Sequence, residues 1–182
     1  MNLEPNGKKY KTIYADPPWD IGSINIDKWK SQLQDKYETM QLEEIKNMPI
    51  DKITDENCSL FLWTTHTFLK KAFEVIEAWG FKYHCCITWD KGGGWCACGF
   101  HRRTELCLFA YKGKLNIKQE GEFIPTIIFE KKTIHSRKPN KMYYWIEHNA
   151  PEPRIELFTR NQREGWDTYG NQLSKTIQKR IT

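Results

Sequence analysis

TIYADPPW, the stretch from Thr12 to Trp19, is an apolar run that ends at a carboxylate, two prolines and an indole. A short apolar run bounded by turn residues is typical of a buried strand in a parallel sheet. Two consecutive prolines fix φ and lack backbone N–H groups, so the segment after the strand is rigid and keeps its carbonyl oxygens as acceptors. We therefore predict a strand over residues 11–15, followed by a rigid turn at Asp16-Pro17-Pro18-Trp19.

Strand and helix patterns alternate along the rest of the chain. Apolar and β-branched runs predict further strands at 59–63, 81–89, 105–111 and 154–159. Helical spacing and stop signals predict helices at 41–47, 67–79 and 139–148. This alternation indicates an α/β fold, a mostly parallel twisted sheet with helices on both faces, whose ligands gather at the carboxyl ends of the strands. The turn at Asp16 lies at such an end.

Length and charge limit the class of protein. The chain has 182 residues and a mass of 21.7 kDa, which fits one domain over residues 1–182. Its formal net charge is +5, with basic residues in scattered pairs and in a basic tail at 174–182. Such a balance suits a polyanionic partner such as nucleic acid, although many soluble proteins of similar charge bind none.

The sequence carries no signal for secretion or for a membrane. Residues 1–11 lack the apolar core of a signal peptide, and no run of about 18 apolar residues occurs. We therefore expect a cytoplasmic protein whose six cysteines are reduced thiols. No pattern in the sequence specifies an oligomeric state.

The chemistry of the Asp-Pro-Pro-Trp turn suits an amine. The Asp16 carboxylate and the Pro17 carbonyl can together accept both hydrogens of an –NH₂ group, which draws the nitrogen lone pair out of ring conjugation. The Trp19 indole can stack on the ring that carries the amine. The alternative interpretation is a strand-ending turn with a packed tryptophan, and these four residues alone leave both open.

Residues 92–99, GGGWCACG, form the most glycine-rich stretch of the chain. Small residues between two strands indicate a mobile loop, and we expect it to act as a lid over the active site. The flanking Lys91, Arg102 and Arg103 are expected to meet substrate phosphate.

The cysteines near this stretch raise a zinc alternative. Cys96, Cys98 and His101, with Cys85 or Cys86, would supply four ligands of the types that zinc prefers. A one-residue cysteine spacing is unlike the common zinc motifs, and neighbouring residues of one strand face opposite sides. We therefore expect no metal.

Seven short motifs, in order along the chain, resemble those of the MT-A70 family of adenine N6-methyltransferases. They are DPPW at 16–19, YETM at 37–40, LFLWTT at 60–65, WGF at 79–81, SRKP at 136–139, ELFTR at 156–160 and GNQ at 170–172. The resemblance implies a Rossmann-like, class I methyltransferase that uses S-adenosylmethionine, with a permuted order in which the catalytic turn precedes the cofactor motifs. Adenine in nucleic acid is the implied acceptor, DNA being favoured over RNA.

The resemblance also implies which residues bind the cofactor. Asp16 would meet the target amine and the amino-acid end of the cofactor, and Lys138 would pair with the methionyl carboxylate. Arg160, Asn171 and Gln172 would hydrogen-bond the ribose and adenine of the cofactor. Each has a structural alternative, a solvated charge for Lys138 and strand-end or turn chemistry for the other three. Because about a dozen residues precede the turn, we expect fewer contacts to the cofactor's adenine than in longer relatives.

Other residues are implied in binding the acceptor. Pro17 would offer its carbonyl, Trp19 would line the base pocket, and Tyr37 and Glu105 match positions beside the acceptor adenine. For Glu105 the alternative is a surface carboxylate paired with Arg102 or Arg103. A base inside a duplex would need to be flipped out to reach the turn, so single strands would be easier substrates.

Two other functions remain open from the residues alone. A non-catalytic nucleic-acid-binding subunit could keep the fold and lose the chemistry, which the presence of Asp16, Lys138 and Arg160 disfavours. An amide N-methyltransferase acting on glutamine side chains could use a similar Pro-Pro turn. Such enzymes usually carry Asn-Pro-Pro-Tyr, so Asp16 and Trp19 favour adenine.

Overall fold

The computed structural model describes residues 7–20, 39–118, 120–132, 137–159 and 161–170. Within them, the strands are β1 Tyr10–Ala15, β2 Thr54–Thr64, β3 Lys82–Ala97, β4 Phe100–Lys112, β5 Ile127–Phe129, β6 Arg154–Leu157 and β7 Asp167–Tyr169. The α-helices are α1 Leu42–Lys46, α2 Leu69–Ala78 and α3 Asn140–Asn149, and short 3₁₀ turns precede β2 and α2 at Ile50–Lys52 and His66–Phe68. Each predicted strand and helix is therefore present, with shifted ends.

The described strands form one sheet in the order β5-β3-β4-β2-β1-β6-β7. β1 pairs in parallel with β2 and β6, β6 with β7, and β3 with β5. Only β4, among the described strands, runs antiparallel to its neighbours β2 and β3. The sheet is thus mixed but mostly parallel, which confirms the predicted α/β class.

Successive side chains of the central strands point to opposite faces of the sheet, and on both faces they are apolar. Ile13 and Ala15 of β1 pack in one core beneath α1 and α2, while Tyr14 packs in the other beneath α3. Leu62 and Trp63 of β2 divide in the same way, and both are fully buried. Ile13 and Leu62 each contribute roughly 1.5–3 kcal/mol of hydrophobic stabilisation. Helices therefore cover both faces, as the alternation predicts.

The glycine after α2 ends that helix as predicted. Gly80 has φ of 76°, its N–H donates to Glu77 O (3.0 Å), and the Phe81 N–H donates to Ile76 O (3.0 Å). This pair of bonds is the Schellman arrangement, which satisfies two carbonyls that the helix end leaves open. The chain then enters β3 directly, so the glycine sets the α2–β3 connection.

The glycine-rich stretch forms part of a β-hairpin, and the prediction of a loop there is wrong. β3 and β4 stay paired to Ala97 and Phe100, and the two-residue turn between them is Cys98-Gly99, with φ of 51° and 81°. Positive φ at both positions is typical of a type I′ hairpin turn, which matches the twist of its strands. The three glycines lie in a bulge of β3, where the register with β4 shifts between Asp90 and Trp95. We call residues 91–104 the arm.

Gly94 shows why glycine is needed within the arm. A Cβ atom added there would lie 2.2 Å from the carbonyl oxygen of Arg102 on the opposite strand. Only a residue without a side chain allows the two backbones to approach so closely at the bulge. The composition that resembles a loop is therefore a packing requirement of the hairpin.

Candidate active site

The strand order reverses at β1, whose neighbours are β2 on one side and β6 on the other. In open α/β sheets, ligands bind outside the carboxyl ends of the strands at such a switch point. Asp16 follows the last residue of β1 directly, so the Asp-Pro-Pro-Trp turn lies at this position. The topology and the unusual turn thus identify the same edge of the sheet.

Backbone hydrogen bonds hold the turn. The Trp19 N–H donates to Pro17 O (2.9 Å), and the Met40 N–H donates to Pro18 O (2.8 Å). A carbonyl oxygen has two lone pairs, so the Pro17 oxygen can accept a second hydrogen. The turn is rigid because the prolines restrict φ and both carbonyls are engaged.

The Trp19 side chain packs inward. It is 9% exposed, its indole N–H donates to Trp63 O (3.2 Å), and its ring stacks on Phe68 with centroids 5.8 Å apart. One face of the indole is therefore covered by Phe68. Stacking of a substrate base on Trp19 remains a prediction, limited to the other face or to the ring edge.

Lys138 lies between two carboxylates from distant parts of the chain. Its Nζ is 2.9 Å from Asp16 Oδ1 and 2.9 Å from Glu105 Oε2, and it lies 5.1 Å from the centroid of the Trp63 ring. The ammonium is 11% exposed and Asp16 is 33% exposed. The segment before α3 thus brings a buried cation against the Asp-Pro-Pro-Trp turn, where the Asp16 carboxylate is partly exposed to solvent.

The charges in this cluster stabilise one another. Burial alone would lower the pKa of the Lys138 ammonium, but Asp16 and Glu105 outweigh burial and raise that pKa. Burial would raise the pKa of Glu105, and the two ammonium groups of Lys138 and Lys91 outweigh it and lower that pKa. Lys138 is therefore a cation and Glu105 an anion at neutral pH.

Glu105 connects the turn to the base of the arm. Its Oε1 accepts from Lys91 Nζ and its Oε2 from Lys138 Nζ, both at 2.9 Å. The alternative pairing of Glu105 with the neighbouring arginines is wrong for Arg103. The Arg103 guanidinium donates two hydrogen bonds to the Asp90 carboxylate, at 2.8 and 2.7 Å. Arg102 donates to Thr67 Oγ1 at 3.3 Å. Direct contact of Glu105 or Lys91 with substrate remains a prediction.

Sequence reasoning missed a buried pair beside the turn. Tyr143 of α3 donates from its hydroxyl to Glu156 Oε1 of β6 at 2.8 Å. Burial raises the pKa of the Glu156 carboxyl, although the Tyr143 hydrogen bond opposes this effect. In the sequence, the only sign of this pair is that Glu156 is a charged residue between the apolar Ile155 and Leu157.

Backbone strain occurs where β6 ends. Phe158 has φ of 65°, a left-handed conformation that is uncommon for a bulky residue. Its N–H donates to Tyr169 O at 2.6 Å, which holds it against the end of β7. Such outliers cluster at ligand sites, and this one lies at the switch-point edge.

Four predicted binding residues, Tyr37, Arg160, Asn171 and Gln172, lie outside the described residues. The basic tail at 174–182 lies outside them too. Among the residues that are described, no helix is long and apolar enough to cross a membrane.

The cysteines of the proposed zinc alternative lie apart. Cys85 and Cys86 pack on opposite faces of the sheet, whereas Cys96 and Cys98 are exposed at the end of the arm. Cys86 and Cys96 lie opposite Leu108 and His101 of β4, seven strand positions apart, which corresponds to roughly 23 Å. The described part of the chain contains no group of three or more metal-ligating side chains.

The sequence model of the MT-A70 family matches residues 10–172. The type II methyltransferase M.MunI of a Mycoplasma species is 32% identical over 91% of this chain and 78% of that protein. A putative N(6)-adenosine-methyltransferase, MT-A70-like, of Medicago truncatula is 30% identical over 91% of this chain. The N(6)-adenine-specific methyltransferase METTL4 of Mus musculus is 26% identical over 93% of it. The chain spans 27% and 38% of these two longer proteins.

The sheet, the switch-point turn and these matches define a Rossmann-like α/β methyltransferase. The chain belongs to the MT-A70 family of adenine N6-methyltransferases, which confirms the resemblance found in its motifs.

Proposed function

We propose that this chain transfers a methyl group from S-adenosylmethionine to the exocyclic amine of adenine in DNA. The observation that carries the proposal is the Asp16 carboxylate, held by Lys138 at the switch point of the sheet. We also propose the permuted order, in which the catalytic turn precedes the cofactor-binding segments. The protein would act in the cytoplasm, where its cysteines stay reduced.

The charged groups at the turn fit the amino-acid end of the cofactor. That end carries an ammonium and a carboxylate, and Asp16 and Lys138 offer the complementary charges side by side. An ammonium has three donors, two of which Lys138 uses on Asp16 and Glu105. The third can donate to the methionyl carboxylate. Arg160, Asn171 and Gln172 are proposed to bind the ribose and adenine.

The chain's own residues position the acceptor amine. S-adenosylmethionine, when bound, supplies a methyl group activated by its sulfonium. Asp16 and the Pro17 carbonyl accept the two amine hydrogens, which aims the nitrogen lone pair away from the ring. As positive charge develops on that nitrogen, the Asp16 carboxylate stabilises it. Lys138 keeps Asp16 in place, because its own ammonium is fixed from the other side by Glu105.

DNA is the proposed acceptor for two reasons. M.MunI is named a type II methyltransferase and shares most of its length with this chain, whereas the plant relative is named for adenosine. The second is the two-stranded shape of the arm, which fits the major groove of duplex DNA but not the deep, narrow major groove of duplex RNA, and which carries basic side chains for the phosphates. Tyr37 and Glu105 are proposed to lie beside the flipped adenine, as the resemblance implies.

Asp16→Asn tests the proposal with a substitution that keeps size and removes charge. We expect N6-methyladenine from DNA incubated with wild-type protein and labelled cofactor, less or none from RNA, and loss of more than tenfold for Asp16→Asn and Asp16→Ala. Asp51→Asn, at an exposed position after α1, is the matched control and should retain wild-type activity. Product is measured by nucleoside mass spectrometry.

Three results would contradict the proposal. Activity of Asp16→Asn within tenfold of wild type would remove Asp16 from catalysis. Cofactor binding without methylated product from any nucleic acid would favour a non-catalytic subunit. Methylated glutamine in a protein substrate would favour the amide enzyme.

A further inference from the structure

The end of the arm presents an aromatic ring to solvent. Phe100, the first residue of β4, follows the Cys98-Gly99 turn directly and is 73% exposed. Large apolar side chains exposed to this degree at a loop tip are candidates for contact with a partner. The position of the arm decides which partner fits.

The arm extends away from the sheet at the edge that carries Asp16. β4 leaves β2 at Leu106, which lies opposite Thr64, and beyond that point its pairing is with β3. Glu105, at the base of the arm, contacts Lys138 and through it Asp16. Five residues of strand separate Glu105 from Phe100, which is roughly 17 Å. A major groove is about 8.5 Å deep and about 12 Å wide, so it admits such a two-stranded ribbon to its tip.

Contacts along the arm hold it in place. Thr104 Oγ1 shares a hydrogen bond with His66 Nε2 at 2.8 Å, just before α2. Arg103 is fixed on Asp90, and the turn needs the positive φ values that Cys98 and Gly99 adopt. The Phe100 ring is therefore displayed on a braced ribbon rather than on a free loop.

The surroundings of the ring are basic. Arg102 shares a face of β4 with Phe100, because side chains two residues apart on a strand point to the same side. His101 and Arg103 lie on the other face, and the Lys132 N–H donates to Lys91 O at the base of the arm (3.2 Å). An exposed aromatic ring on the same face as Arg102, on an arm with further basic side chains toward its base, suits a polyanion with stacked bases, which is nucleic acid.

We propose that Phe100 is a wedge that enters the base stack of duplex DNA and takes the place of the adenine that turns out toward Asp16. This inference rests on the proposed function and adds the element that opens the duplex. Apolar wedges of this kind unstack base steps in several DNA-binding folds, and flipping costs most for a paired base. Phe100 is then a specificity residue for paired adenine, and it is not needed when the base is already free.

The test compares Phe100→Ala with wild type on three DNA substrates of one sequence that the wild type methylates. The adenine is paired with thymine, placed opposite an abasic site, or presented in a single strand. Single-turnover methylation of the paired adenine should fall roughly tenfold to a hundredfold in Phe100→Ala, because stacking of one ring on a base is lost. Rates on the other two substrates should stay within about threefold, since no base pair has to be broken.

Two further variants serve as a rescue and as a control. Phe100→Trp should restore the rate on paired adenine, because it also offers a flat ring. Phe123→Ala removes a similarly exposed ring, 70% accessible, outside the arm, and should behave as wild type on all three substrates. Unchanged thermal unfolding of each variant shows that folding is not the cause.

A second readout needs no methyl transfer. Duplexes with one central 2-aminopurine between randomised flanks should become more fluorescent when wild type binds, and less so with Phe100→Ala. Equal loss on all three substrates, or equal fluorescence for both proteins, would overturn the wedge. Absence of methylation by wild type would refute the proposed function, while the fluorescence comparison still decides the inference. A wild type that binds the duplex and leaves the fluorescence unchanged would also overturn the wedge.

Discussion

Glu105→Gln removes the carboxylate that joins two ammonium groups and leaves the shape of the side chain. Lys91, Glu105 and Lys138 are 15%, 19% and 11% exposed, so water compensates little for the loss. Each N–O distance is 2.9 Å. At an effective dielectric constant of about 20, each pair has a gross attraction of about 6 kcal/mol, most of which offsets desolvation.

The net destabilisation depends on which ion pairs each lysine retains after the substitution. Breaking a buried ion pair from one side costs about 3–5 kcal/mol. Lys138 keeps its ion pair with Asp16, so we expect the lower end, about 3 kcal/mol. For a chain of this size, that corresponds to a fall in Tm of about 6–12 °C.

The pH dependence distinguishes this charge effect from a packing effect. Because the pKa of Glu105 is lowered in the folded state, its contribution is complete above the unfolded value of about 4.3 and is lost as pH falls through the folded value. The pKa of Lys138 is raised, so its charge persists up to and beyond its ordinary value of about 10.5. The difference in unfolding free energy should therefore be constant from about pH 5 to pH 10 and should shrink as pH falls below about 4.3 toward the lowered folded pKa of Glu105.

Urea unfolding of wild type and Glu105→Gln at several pH values measures this difference. Glu43→Gln is the control, because its ion pair with Lys46 is exposed and its loss should leave unfolding unchanged. A difference below about 1 kcal/mol at pH 7 would show that the cluster is as weak as a surface pair. A difference that persists in acid would show that the charge is not its cause.

Lys138→Ala should weaken S-adenosylmethionine binding, measured by calorimetry, because the methionyl carboxylate loses its cation. Arg103→Ala should leave cofactor binding intact and weaken DNA binding, with a smaller dependence of affinity on salt concentration. Equal cofactor affinity for the two variants would disprove the role of Lys138. Glu156→Gln should keep the bond from Tyr143 while avoiding a buried charge. The pKa of Glu156 is raised in the folded state, so wild type should lose stability relative to this variant as pH rises above about 4.3. Urea unfolding of both proteins at acid and neutral pH measures the difference.

Local signals in the sequence were sufficient for the elements around the turn. The run from Thr12 to Ala15 stops at residues that cannot continue a strand, and α2 stops at the glycine that closes it. Such signals depend on backbone chemistry within a few residues, so they can be recognised without the partners that the segment later meets. The alternation of these elements was sufficient for the α/β class.

The arm shows where local composition misleads. Three glycines and a cysteine pair resemble a loop, but the opposite strand supplies ladder hydrogen bonds and a bulge takes up the extra residues. Whether glycine marks a loop or a close approach depends on the atoms across from it. For Gly94 that atom is the Arg102 carbonyl oxygen, which sequence patterns do not specify.

The motifs by themselves determined that Asp16 ends a buried strand and that the chain resembles an MT-A70 methyltransferase. Only the tertiary structure decided that Lys138, 122 positions further on, bridges Asp16 and Glu105. The physical reason is that a buried ammonium needs carboxylate partners to offset its loss of hydration. Those carboxylates lie just after β1 and within β4, which the sheet brings to one edge through pairings that no local pattern encodes.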